Sequence, residues 1–225
     1  MITTLVFDAY GTLFDITSAA RRAATEAGGE ALAQAWPRLA ADWRRKQLEY
    51  TWLRTMTGTY ADFATVTAQS LDWALDAHNL RDPALRARLL SLYEELNTFP
   101  EVPEVLANLK ASGYRLAILS NGTPAMLDAA TKAAGLADAF NAILSVDPLR
   151  LYKPAHQVYA LVERHLGAKP AQTLFVSSNG WDIAGAAHFG LWTAWVNRAN
   201  DPVDRLAQTP VHSIPDLTHL ARLLQ

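Results

Sequence analysis

The chain has 225 residues, half of them apolar, enough for one substantial core or a core plus a smaller domain. A net charge of −2 gives no broad attraction to nucleic acid or to an anionic membrane, and the absence of cysteine removes disulfides, thiolate nucleophiles and thiolate metal sites together. The sequence enters an apolar strand without a basic, leader-like run and has no apolar stretch long enough to span a bilayer, so a soluble, cytoplasmic protein is expected.

In chain order, the first element is a short buried strand over Thr3–Phe7. Helical patterning then runs through Ala19–Glu26, Ala31–Met56, Tyr60–His78 and Pro83–Leu96. From there strands and helices alternate. The strands are Arg115–Leu119, Ala142–Val146, Thr173–Val176 and Thr193–Val196. Val102–Ala111 reads as a helix stopped by Gly113. Thr123-Pro124 supplies an N-cap and a proline at the first helical position, with Gly135 closing that helix, and Pro154 opens another that runs toward Gly167. The alternation implies an α/β fold: a Rossmann-like parallel sheet core with helices on both faces. The all-helical stretch of 16–97 is read as an inserted all-α cap domain, with the core formed by 1–15 and 98–225. A contiguous N-terminal helical bundle fits poorly, because it would orphan the first strand from its sheet.

Each core strand delivers polar residues at its C-terminal end, where open α/β sheets bind ligands. The first gives Asp8, Tyr10 and Thr12 around a Gly11 turn. The second gives Ser120-Asn121-Gly122 before a helix N-terminus, whose free N–H groups suit an anion. The third is followed by Tyr152-Lys153-Pro154, and the fourth by Ser177-Ser178-Asn179-Gly180-Trp181-Asp182. Four segments converging in this way are what an active site at a sheet edge requires. An aspartate in this position can act as a covalent nucleophile. The six histidines form no metal spacing and are read as structural or surface residues.

These four segments resemble, in order, the motifs of the haloacid dehalogenase superfamily. Within it, Asp8-Ala9-Tyr10-Gly11-Thr12-Leu13-Phe14-Asp15, the stretch Trp43-Arg44-Arg45-Lys46-Gln47-Leu48-Glu49-Tyr50-Thr51-Trp52-Leu53, Leu119-Ser120-Asn121-Gly122 and Ser177 to Asp182 resemble the L-2-haloacid dehalogenases. The resemblance implies hydrolysis of short (S)-2-haloalkanoic acids to (R)-2-hydroxy acids and halide through an aspartyl ester, without an organic cofactor or metal, in a homodimer joined through cap helices. The runner-up enzyme is a phosphatase of the same superfamily. There a second aspartate two residues after the nucleophile protonates a poor leaving group. Here that place holds Tyr10, a far weaker acid, and halide needs no proton to leave. A retired, non-catalytic relative is the alternative of a different class; the intact Asp8, Lys153 and Asp182 argue against it.

The resemblance also assigns roles. Asp8 is the nucleophile, with Thr12 beside it. Lys153 orients Asp8 and keeps it ionised, as a nearby cation favours the carboxylate. Asp182 activates the hydrolytic water or fixes Lys153, two readings left open, while Ser177 and Asn179 hold Asp8 and the water. Ser120 and the backbone around Asn121 receive the substrate carboxylate. Arg44 in the cap takes the departing halide. Tyr10, Leu48, Phe63 and Trp181 line the pocket for the alkyl part, and Tyr159 is counted among the substrate-binding residues. Arg45 departs from the amide side chain common in the family, which puts contacts at the pocket mouth in question.

Overall fold

The computed structural model describes residues 1–26 and 29–224; the expected cap and core spans each include residues outside that description, 27–28 and 225. The core is a six-stranded, all-parallel sheet in the order β3-β2-β1-β4-β5-β6. Its strands are β1 (Thr4–Phe7), β2 (Arg115–Ser120), β3 (Ala142–Ser145), β4 (Thr173–Ser177), β5 (Trp192–Val196) and β6 (His212–Ile214). β1 and β4 are buried at every residue, which explains their continuous apolar reading rather than an alternating one.

The strand order reverses between β1 and β4, and a crevice opens outside the strand ends at such a point. There Phe7 pairs with Val176, and the Asp8 N–H donates to the Val176 carbonyl at 2.9 Å. The register therefore brings the residues after β1 and after β4 side by side.

Between β1 and β2 come α1 (Ser18–Ala23), α2 (Trp36–Thr57), α3 (Phe63–Ala77), α4 (Pro83–Glu94) and α5 (Val102–Ala111). The first four pack mainly among themselves: α2 lies on α3, and α1 on α4. Leu39, Trp43, Gln47 and Thr51 are buried at a spacing of four along α2, one helical stripe. Asp62 caps α3 through the Thr65 N–H, and Asp82 caps α4 through the Ala84 N–H. The chain leaves and re-enters the sheet layer along one seam: the Asp15 N–H donates to the Asn97 carbonyl at 2.8 Å and the Phe99 N–H to Leu13 at 3.1 Å.

After the seam, α6 (Pro124–Ala133), α7 (His156–Leu166), α8 (Gly180–Phe189) and the short α9 (Leu220–Leu223) accompany the strands. Three local expectations need correction. α2 begins at Trp36 rather than Ala31, because Pro37 fits only its first turn and residues 30–35 form turns. α7 begins at His156 rather than Pro154. The Ala155 N–H closes a turn onto the Tyr152 carbonyl at 3.0 Å, and that turn contains Pro154 in a cis peptide with Lys153. A sixth strand, β6, adds an edge beside β5 that hydrophobic patterning did not reveal. Among the described residues no helix is long and apolar enough to cross a membrane.

Candidate active site

Asp8 leaves β1 into a loop that folds back on itself, with the Leu13 and Phe14 N–H groups both donating to the Ala9 carbonyl. Gly11 permits this at φ +91°, in the left-handed region; a side chain there would also meet the Ser178 hydroxyl at 3.2 Å. The loop returns Thr12 toward its own strand end. Its hydroxyl donates to Asp8 Oδ2 at 2.9 Å and accepts the Ser178 N–H at 2.8 Å, tying the two neighbouring strand-end loops together.

Asp8 is nearly buried and receives donors on both oxygens. Oδ2 accepts from Thr12 and from Asn179 Nδ2 at 3.0 Å, whereas Oδ1 accepts from Lys153 Nζ at 3.1 Å. The Lys153 ammonium is buried too and also donates to Asp182 Oδ2, at 2.9 Å. Burial alone would lower its pKa, but the charges of Asp182 and Asp8 outweigh burial and hold it above the ordinary lysine value. One cation thus sits between two carboxylates. The Lys153 N–H donates to the Asn121 side-chain carbonyl at 3.0 Å, which positions the lysine backbone across from β2.

Asp182 is fully buried on the first turn of α8. Oδ2 accepts from Lys153 and from the Ser177 hydroxyl at 3.1 Å; Oδ1 accepts from the Tyr159 hydroxyl at 2.7 Å. Burial pushes its carboxyl up, and Lys153 partly offsets that. Tyr159 is wholly buried on α7, its ring against Phe175 and Phe189 and its hydroxyl on Asp182.

The remaining expected residues lie at the ends of β1 and β2 and on α2, α3 and α8. Ser120 Oγ accepts the Gly122 N–H at 3.1 Å, which keeps its own hydroxyl proton available. Asn121 spends its side-chain oxygen on Lys153, which leaves it only N–H groups, side-chain and backbone, to offer an anion. Gly122 lies under the Tyr10 ring, and any side chain there would come within 2.9 Å of it. Tyr10 packs against Phe63 and Tyr93, each at 5.5 Å between ring centres. Burial, together with the nearby Tyr93 and Asp8, lifts the Tyr10 phenol well above its ordinary value, making it a poorer acid still.

From the helical layer between β1 and β2, α2 presents Arg44, Leu48 and Trp52 at a spacing of four. The Arg44 guanidinium donates to the Tyr10 carbonyl at 3.2 Å, to Asn179 Oδ1 at 3.3 Å and to Gln47 Oε1 at 2.9 Å: three neutral oxygens. Trp52 meets Trp181 edge-on at 5.4 Å. Leu48, half-buried, lies on the same face between them. Arg45 turns away, pairing with Asp42 and Glu49 and covering Trp73, so it takes no part in the mouth of the site. A cavity of about 10 Å³ lies beside Arg44, bounded by Ile16, Trp43, Gln47 and Tyr93, too small for a substrate.

Sequence reasoning missed Gln47, Tyr93 and Arg198. The signal for Gln47 was available, since it falls on the period-four stripe of Leu39, Trp43 and Thr51 within an otherwise charged helix.

The fold and site define a Rossmann-like hydrolase scaffold with a strand-end aspartate paired to a buried lysine. Residues 2–190 match the haloacid dehalogenase-like hydrolase family. The chain is 42% identical to (S)-2-haloacid dehalogenase 1 of Pseudomonas sp. strain CBS-3, over 97% of this chain and 95% of that protein. It is 43% identical to (S)-2-haloacid dehalogenase 4A of Burkholderia cepacia, over 97% and 93%. A solved L-2-haloacid dehalogenase of Xanthobacter autotrophicus with chloropropionic acid covalently bound superposes with a TM-score of 0.88 at 38% identity, covering 100% of this chain and 98% of that one. The chain belongs to the haloacid dehalogenase-like hydrolases and, within them, to the family of the (S)-2-haloacid dehalogenases.

Proposed function

We propose that this protein hydrolyses the carbon–halogen bond of short (S)-2-haloalkanoic acids, giving (R)-2-hydroxy acids and halide. The observation that carries the reading is Asp8 held by Lys153, Thr12 and Asn179, with Tyr10 where a phosphatase needs an acid. Asp8 Oδ1 accepts one donor and Oδ2 accepts two, so Oδ1 keeps a lone pair for backside attack on the halogen-bearing carbon. Ser120 and the backbone after β2 hold the substrate carboxylate. Arg44, whose charge rests only on neutral oxygens, receives the departing halide in place of one of them.

Water then attacks the side-chain carbonyl of the aspartyl ester. Asp182 acts by fixing Lys153, because it is fully buried behind its bonds to Lys153, Ser177 and Tyr159. The Lys153 ammonium bridges Asp8 and Asp182 and supplies the positive charge between them, which supports a metal-free reaction. Residues 16–97 serve as the cap, with Tyr10, Leu48, Phe63 and Trp181 forming dry walls that strengthen every charge interaction inside. Swinging the cap about the Asp15–Asn97 seam admits the substrate. Leu53 and Met56, exposed on α2, give a cap surface for a homodimer.

A single turnover in heavy-oxygen water tests the covalent route. With enzyme in excess over (S)-2-chloropropionate, the first lactate is unlabelled and the label is retained in the peptide spanning Phe7 to Phe14. Labelled lactate with an unlabelled Asp8 would mean that water attacks carbon directly.

A further inference from the structure

We propose that Gln47 is a positioning residue for Arg44: it fixes the guanidinium toward the site without neutralising its charge. The inference rests on the reading of Arg44 as the halide acceptor. The Gln47 side chain is buried on α2, one turn from Arg44. Its carbonyl Oε1 accepts from Arg44 at 2.9 Å. Its amide Nε2 donates to the Thr67 hydroxyl of α3 at 2.8 Å and to the Tyr93 hydroxyl of α4 at 3.1 Å. Thr67 in turn donates to the Phe63 carbonyl, and the Trp43 indole N–H donates to the Thr67 carbonyl at 2.9 Å.

The amide is therefore held by two other cap helices, and its orientation follows from them. Thr67 already spends its proton on Phe63, so it can only accept from Gln47; that leaves the Oε1 end of the amide facing Arg44. A carboxylate of the same shape could hold the arginine equally well, but it would pair with the positive charge that must attract the leaving anion. A neutral acceptor orients the fork and leaves its charge for the halide. The buried setting magnifies the difference between the two.

The test compares two leaving groups. Chloride is the poorer one and needs more help than bromide from the group that stabilises it. Gln47→Glu keeps the shape; Tyr93 can turn its hydroxyl proton to the new oxygen, and Thr67 can do so by giving up its bond to Phe63. Turnover of (S)-2-chloropropionate should fall more than turnover of (S)-2-bromopropionate, raising the bromo-to-chloro ratio about tenfold. KM should move little, because the substrate carboxylate binds on the other side of the crevice.

Gln47→Met, similar in length and without a strong acceptor, should raise the ratio less. It is the variant to score if the glutamate variant does not fold. An unchanged ratio in a folded Gln47 variant, with Arg44→Ala strongly impaired, would overturn the inference and leave the reading of Arg44 standing. Wild-type turnover and ratio in Arg44→Ala would remove the reading of Arg44 itself. A purely structural role would lower the melting temperature and both turnovers together, without moving the ratio.

Discussion

Arg44 of α2 and Asn179 at the end of β4 meet at 3.3 Å, guanidinium to side-chain carbonyl, while the other end of the same amide donates to Asp8 at 3.0 Å. The amide links the α2 arginine to the strand-end carboxylate, and each end of it can serve only one of them. Its orientation follows from the chemistry, since Arg44 has only donors and ionised Asp8 only acceptors.

Asn179→Asp should therefore be far worse than its size suggests. The new carboxylate cannot donate to Asp8, places a like charge beside it, and pairs with Arg44. Turnover should fall by about 100-fold or more, with the far-ultraviolet circular dichroism unchanged. Steady-state halide release measures it. Near-wild-type turnover in this variant would show that Asp8 does not depend on the amide.

The pH dependence should differ between the two flanks. Lys153 is held above its ordinary value because Asp182 and Asp8 outweigh its burial. The native state therefore keeps a proton that the unfolded chain loses near pH ~10.4, and stability is full below that value and falls as pH rises through the native lysine's titration. Activity and melting temperature should decline together there. On the acid side burial raises the Asp182 carboxyl, so the native state takes up its proton before the unfolded chain does. Protonating it weakens the hold on Lys153 yet favours the folded state. Turnover should thus fall on the acid flank before the melting temperature does. Scanning calorimetry alongside pH–rate profiles separates the flanks, and a melting temperature that drops ahead of activity in acid would contradict this assignment.

Much of the architecture was legible because buried parallel strands read as apolar runs and each ends in a polar motif. Thr4–Phe7 and Thr173–Ser177 are such strands, and their pairing places Asp8 beside the Ser177 to Asp182 loop. β6 was not legible. Its three residues, His212, Ser213 and Ile214, lie between Pro210 and Pro215 and are too few and too polar to show a period. That the Tyr159 hydroxyl reaches Asp182 was not legible, because helical spacing fixes the face a residue occupies but not which neighbour its hydroxyl meets. Arg198 gave no signal at all: it follows β5 in a loop, and its partners lie nearly a hundred residues or more away in sequence.

Those partners set the last prediction. Arg198 donates to the Thr12 carbonyl at 3.2 Å, pairs with Glu101 at 2.6 Å and covers the Phe99 ring at 3.8 Å. Thr12 is the residue whose hydroxyl holds Asp8, and Phe99 lies on the seam where the chain returns from the helical layer. A single side chain thus fastens the Asp8 loop to that seam. The side chains of Arg198 and Glu101 are 22% and 16% exposed, whereas those of the surface pair Lys132–Asp128 are 66% and 60% exposed. Solvent screens the surface pair, and losing it should cost about 0–1 kcal/mol. Arg198→Ala strands Glu101 and uncovers Phe99, and it should cost about 2–4 kcal/mol. For a chain of this size each kcal/mol lowers the melting temperature by about 2–4 °C. Thermal unfolding of Arg198→Ala, Glu101→Gln and the double variant, with Lys132→Ala as the surface control, gives the comparison. The Arg198–Glu101 cycle should return a coupling well above that of a surface pair. Because Thr12 is loosened as well, Arg198→Ala should lose turnover, while Glu101→Gln keeps most of it. Equal melting temperatures for Arg198→Ala and Lys132→Ala would show that Arg198 rests on the seam without fastening it.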